Sequence, residues 1–360
     1  MPSIKIFAFL LLSIFISATA KANDTSKVKT LENYETALSK LKFILDNPTS
    51  KSFKKAVFIT ENVYLNGLIE EEAFETKISS ISMAIRLWVQ ANHISTYKFS
   101  DSLNFLKNYG IFKLMKQHLK IIMPGSKDTF LTKPFLYDFD GFFGKEDWAK
   151  MFVSNLFVSY KGNCHSLPYL YKILADELDA SCWLSFAPNH IYIKNRCQQT
   201  GWYNTELTSG DFPIDAWIAT SGYVPVDAIR NGIYMDTLSN QQAIAQCVLD
   251  LAKGYEFQTK NYYDGFIIKC CDLTLKYHPQ NVQAILLKAE TLKRIYENHG
   301  KVKSAIGMDT YAEMEKLYVH LFELGYREMP EKMYMQWLRS VTEQKNKYGN
   351  KQLKATLNKH

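Results

Sequence analysis

Beyond residue 22 the sequence lacks any stretch long and apolar enough to cross a bilayer, so no integral membrane segment is expected there. It also lacks a CxxC pair and a histidine cluster, which leaves its six cysteines and eight histidines without the spacing of a metal site. HExxH, GxSxG and a phosphate-cradling glycine loop are absent as well, which disfavours zinc proteases, α/β-hydrolases and nucleotide enzymes; no cofactor is implied. No nucleic-acid-binding motif is present either. The formal net charge of +7 over 360 residues is mild, and much of the excess sits in the tail "EQKNKYGNKQLKATLNKH". Residues 341–360 are accordingly expected to form a basic, flexible end.

What the chain does have is apolar and aromatic material. Hydrophobic residues make up 47% and aromatics 14%, a composition that folds into packed cores over two or three domains. The first 22 residues have the anatomy of an export signal. Lys5 supplies a positive start, Ile6 to Ile16 form a short apolar run, and Ala18, Ala20 and Ala22 offer small-residue cleavage sites. Export to a periplasm or the exterior is expected, with an uncleaved N-terminal anchor as the competing reading. No cysteine follows at once, which argues against a lipoprotein anchor.

Residues 23–135 read as a helical region. Ala73, Phe74, Ile78, Ile81, Ile85 and Trp88 recur at three- and four-residue steps, and Val28, Leu31, Leu38, Leu41 and Leu45 do much the same. "IMPGSKDTFLTKP" then breaks the period as a loop. A helix is expected from Leu167 to Leu178, with Pro168 tolerated in its first turn. Two alternating strands follow about Pro188-Asn189, and a third at "GWYNTEL". In residues 239–340 the helical period returns, stops at Pro279 and resumes at Asn281. That succession resembles a tetratricopeptide-type helical hairpin, a kind of surface that could hold a protein partner.

Within the central segment, "KGNCHSLPYLYKIL" sets Cys164 directly behind a turn and at the head of a helix, where the backbone dipole favours thiolate. His190 opens a strand 26 residues later, and Glu206 lies in "WYNTEL". A thiol nucleophile needs a base to take its proton, and the imidazole needs a third group to fix its tautomer. His165 reads as structural or as a secondary site residue, Asn189 and Asn204 as turn and hydrogen-bonding residues. Asp138 and Asp140 are candidates for the cleft wall, with a solvated turn the stronger reading. Cys182 and Cys197 flank one hairpin and are candidates for a cross-strand disulfide, whereas Cys247, Cys270 and Cys271 read as buried small hydrophobes.

The order Cys164, His190, Glu206 in "GNCHSLPYLYKILADEL", "APNHIYI" and "GWYNTELTSG" resembles the transglutaminase-like superfamily of papain-like cysteine enzymes, over roughly residues 137–230. The resemblance implies an α+β fold: a domain at 136–238, its cysteine helix packed on a small antiparallel sheet, flanked by helical regions. It implies Cys164 as nucleophile toward an amide or ester carbonyl, His190 as base and then acid, Glu206 as the orienting acid, and a thioester intermediate. Water or an amine would complete the reaction on a peptide or protein substrate, hydrolysis being the favoured outcome. One feature departs from the pattern: "NLFVSYKG" offers no glutamine ahead of the cysteine, so the Cys164 N–H is the one oxyanion donor that can be named. The alternative reading is an inactive relative that keeps the fold as a periplasmic protein-binding scaffold.

Overall fold

The computed structural model describes residues 28–47, 49, 52–122, 129–298 and 305–357, so the expected export signal and the middle of the "IMPGSKDTFLTKP" loop lie outside the described residues. The fold is mixed α+β, dominated by helices with small sheets. Helix α1 (28–46) is followed by α2 (Phe53–Tyr64), α3 (Glu71–Ala91) and α4 (Ser102–Lys116). Their buried faces are the apolar stripes: Leu41 and Leu45 on α1, and Phe74, Ile78, Ile85 and Trp88 on α3. The Ser52 hydroxyl accepts from the Lys55 amide and so caps α2. A hairpin of β1 (Lys120–Ile122) and β2 (Thr129–Leu131) closes this region, which is therefore not wholly helical.

Short β3 (Leu136–Tyr137) runs parallel to β4 (Lys161–Gly162), bringing Tyr137 level with Gly162. Between them lie a 3-10 turn at Trp148–Met151 and α5 (Val153–Ser159). Packing at Gly162 is close: a Cβ there would fall 2.3 Å from Leu156 Cδ2 and 2.6 Å from Ser166 Oγ, so both side chains would have to shift. Helix α6 (Ser166–Glu177) then passes through the centre of the molecule, buried all round from Ser166 to Ala175. It packs on the antiparallel sheet of β5 (Trp183–Ala187), β6 (His190–Cys197) and β7 (Gly201–Thr205), as the sequence leads one to expect. Asn189 takes φ 57° in the β5–β6 turn, a conformation that asparagine tolerates better than most residues.

The register of that hairpin speaks against the candidate disulfide. Trp183 faces Lys194 and Ala187 faces His190, so Cys182 comes level with Asn195, two residues short of Cys197. All six cysteines are free and buried, and the Cys197 sulfur lies 3.1 Å from the Thr200 hydroxyl.

After α7 (Asp215–Ser221) and α8 (Val226–Arg230) come α9 (Asn240–Thr259), α10 (Phe266–Tyr277), α11 (Val282–Asn298) and α12 (Ala305–Glu323), each packed on the next. Ser239 and Gln242 form a reciprocal capping box at the start of α9. Helix α9 also packs on α2, and one hydrophobic cluster runs from Tyr34 through the central segment to Leu357. Among the described residues no helix is long and apolar enough to cross a membrane.

The tail differs from its expectation. Helices α13 (Glu331–Glu343), α14 (Lys345–Tyr348) and α15 (Lys351–Leu357) return to the central segment. Leu353 and Leu357 are buried, and the Lys354 ammonium lies 2.7 Å from the Asp211 carboxylate. Two leucines four apart give a basic helix one apolar face, and that face outweighs the solvation of its lysines.

Candidate active site

Asn163 builds the turn that presents Cys164. Its Oδ1 accepts from the amides of His165 and Ser166, each at 3.0 Å, while its Nδ2 donates to the Phe142 carbonyl at 3.0 Å. The cap takes the amides of 165 and 166 and leaves that of Cys164 outside it. The thiol contacts the Asn189 carbonyl at 3.7 Å.

His190 and Glu206 arrive from the sheet. Nε2 of His190 lies 2.7 Å from Glu206 Oε2, and Oε1 of Glu206 accepts from the Thr208 amide, also at 2.7 Å. The loop carrying Glu206 is closed by reciprocal backbone bonds between Glu206 and Asp211 at 2.9 and 3.1 Å. His190 Nδ1, the ring atom that faces away from the carboxylate, is 3.1 Å from the Tyr334 hydroxyl. That hydroxyl donates to the Cys164 sulfur at 3.2 Å. One phenol, from α13, thus touches both the sulfur and the imidazole.

Electrostatics follow from this arrangement. Burial pushes the Cys164 thiol up, but hydrogen bonding to His190 and its charge, with help from Tyr334, bring it below its ordinary value. Burial pulls His190 down, yet the Glu206 carboxylate and the Cys164 sulfur raise it to about 10. Burial likewise works against ionised Glu206 and is outweighed by His190, so its carboxyl stays below the usual range. Each charged form is thus favoured by its neighbour: the thiolate by the imidazolium, and the imidazolium by the Glu206 carboxylate.

Cys164 and His190 are among the residues lining a cavity of about 400 Å³, bounded also by Phe143, Phe186, Asn189 and Lys253. Cys164 is 9% exposed and His190 4%, so the cavity is the open space that both residues border.

Of the other sequence candidates, His165 turns away from the sulfur: Nδ1 lies 2.9 Å from the Met151 carbonyl and Nε2 3.0 Å from Asp250. Burial lowers its pKa and Asp250 more than restores it, and in its charged form the ring also favours the neighbouring thiolate. Asn204 donates to the Pro213 carbonyl and to Asp215, holding the loop beyond Glu206. Asn189 donates to the Met329 carbonyl at 2.7 Å. Asp138 pairs with Lys150 at 3.2 Å, Asp140 is exposed, and neither is among the residues lining the cavity.

Sequence reasoning misses Tyr334, which lies 144 residues beyond His190. The apolar spacing Tyr334, Trp337, Leu338, Val341 announces a helix with a buried face, but nothing in it says where that face docks. Tyr137 is missed too. Its hydroxyl is buried, and burial together with the charge of Cys164 raises its pKa. Comparisons with protein-family models, with curated proteins and with solved structures find no match for this chain.

Proposed function

We propose that this chain is a transglutaminase-like cysteine enzyme acting on amide or isopeptide carbonyls. The observation that carries the reading is the His190 ring, braced by Glu206 at 2.7 Å on one nitrogen and turned to the Cys164 site on the other. The thiolate adds to the carbonyl carbon, forming the S–C bond and a tetrahedral oxyanion. As that collapses, the C–N bond breaks and imidazolium hands its proton to the leaving amine. The thioester then passes to water, with His190 taking the water's proton, and the thiolate is regenerated. An amine in place of water would make the same site a transferase; hydrolysis is the favoured outcome because it needs no second bound substrate. The Cys164 amide is one oxyanion donor. The signal-like first 22 residues support a periplasmic or secreted setting for this chemistry.

A second reading, a scaffold that keeps the fold without turnover, draws on Met308, Val319 and Phe322, which α12 leaves exposed. One experiment separates the two. Incubated with p-nitrophenyl acetate, the enzyme acquires an acetyl group on Cys164, detected by peptide mass mapping, and His190→Ala loses it. Absence of any adduct on Cys164 favours the scaffold.

A further inference from the structure

The cavity in front of Cys164 has a second chemical pole. One wall comes from α9 and the start of α11, and it carries Lys253 and Gln283. Lys253 is half-buried, and its ammonium donates to the neutral Gln283 Oε1 at 3.2 Å. Asp250, three residues earlier on the same helix, is already engaged: Oδ2 takes the Tyr169 hydroxyl at 2.7 Å and His165 Nε2 at 3.0 Å, and Oδ1 takes Gln246 at 3.3 Å. The cavity's other lysine, Lys145, is bound to Glu331. Asp250 and Glu256, three residues to either side on α9, act on the Lys253 charge from a distance, but among the described residues no carboxylate lies within ion-pair distance of it, which leaves ammonium protons free to donate. The rest of the lining near the nucleophile is largely apolar, with Phe143, Trp148, Met151 and Phe186.

We propose that Lys253 is a subsite for a carboxylate carried by the substrate, separated from the scissile carbonyl by an apolar spacer. This rests on the reading of Cys164 as nucleophile and adds the substrate class to it: an anionic peptide-like amide. A single ammonium balances a singly charged carboxylate, whereas the second charge of a phosphate would be left uncompensated and repelled by Glu328 on the same lining. Nearby neutral amides such as Gln283 orient the carboxylate without competing for the charge.

The test uses the full chain and two thiol probes of one length, 6-maleimidohexanoic acid and its methyl ester. Second-order labelling rates at Cys164 are read by peptide mass mapping at low ionic strength. The acid is expected to label about five-fold faster than the ester, with the preference shrinking as salt is added. Lys253→Met brings the acid-to-ester ratio to near one, while Lys253→Arg keeps it. Lys253→Gln serves in its place if the methionine variant does not fold, judged by its thermal melt. An unchanged ratio in Lys253→Met, or an acid no faster than the ester in the unsubstituted protein, overturns the subsite. Slow labelling by both probes, at the rate of a free thiol, counts against the enzyme reading instead, and the ratio still decides the subsite.

Discussion

At the scale of single residues, the Tyr334 hydroxyl is the contact that most distinguishes this site. It donates to the Cys164 sulfur at 3.2 Å and lies 3.1 Å from His190 Nδ1, so it stabilises the charged form of both groups. Tyr334→Phe keeps the ring and removes that stabilisation, and the Cys164 thiol must then rise. The low-pH limb of Cys164 alkylation is expected to move to higher pH by up to about one unit, with a stability change on the order of 1 kcal/mol. A purely structural tyrosine would lower the melting temperature and leave the limb in place. Cys164, His190 and Glu206 were legible because each sits at a local signal: a capped helix start, a strand start and a strand end. Tyr334 was not, because a tyrosine in an amphipathic stretch carries no mark of the sulfur it reaches.

At the scale of elements, Glu61 links α2 to α5. Both its carboxylate oxygens accept from the first amides of α5, Val153 at 2.6 Å and Ser154 at 2.9 Å. Burial nevertheless raises its pKa to about 7, the Ser154 and Val153 hydrogen bonds only partly offsetting it. A raised acid holds its proton in the folded state where the unfolded chain has lost it. Stability therefore falls as pH climbs from about 4.5 to about 7, by roughly 3 kcal/mol at most. Glu61→Gln is expected to flatten that slope, measured by urea unfolding at pH 5 and pH 8; a slope as steep as before would exclude Glu61 as its source. The helices and the three-stranded sheet were readable from period and turn chemistry. The β5–β6 register was not, since one step of the turn decides whether Cys182 meets Cys197 or Asn195, and alternation is blind to a two-residue shift.

At the scale of the whole molecule, the segments that sequence reading divides into regions all contribute to one large hydrophobic cluster, beside a smaller second one under α8, α11 and α12. Tyr334, Trp337 and Leu338 of α13 are buried against the central segment, and Leu353 and Leu357 of α15 close the same cluster. Ending the chain after Pro330 should lower the melting temperature markedly and slow Cys164 labelling together, since it strips both apolar cover and the phenol from the sulfur. An unaltered melt and rate would make the last helices an appendage. Such long-range docking is invisible in composition: the lysines of the tail dominate its charge, while its two buried leucines decide its place.

The central claim, that His190 holds Cys164 as a thiolate, is tested most directly by the iodoacetamide rate at Cys164 from pH 5 to pH 10. His190, raised to about 10, contributes its pairing fully below its ordinary value near 6.5 and loses it as pH climbs through 10; Cys164, lowered, loses its own as pH falls through its shifted value. The expected result is fast labelling already at neutral pH, flat toward the alkaline side, and at least about ten-fold slower in His190→Ala. A single rise near pH 9, the same in both proteins, would contradict it.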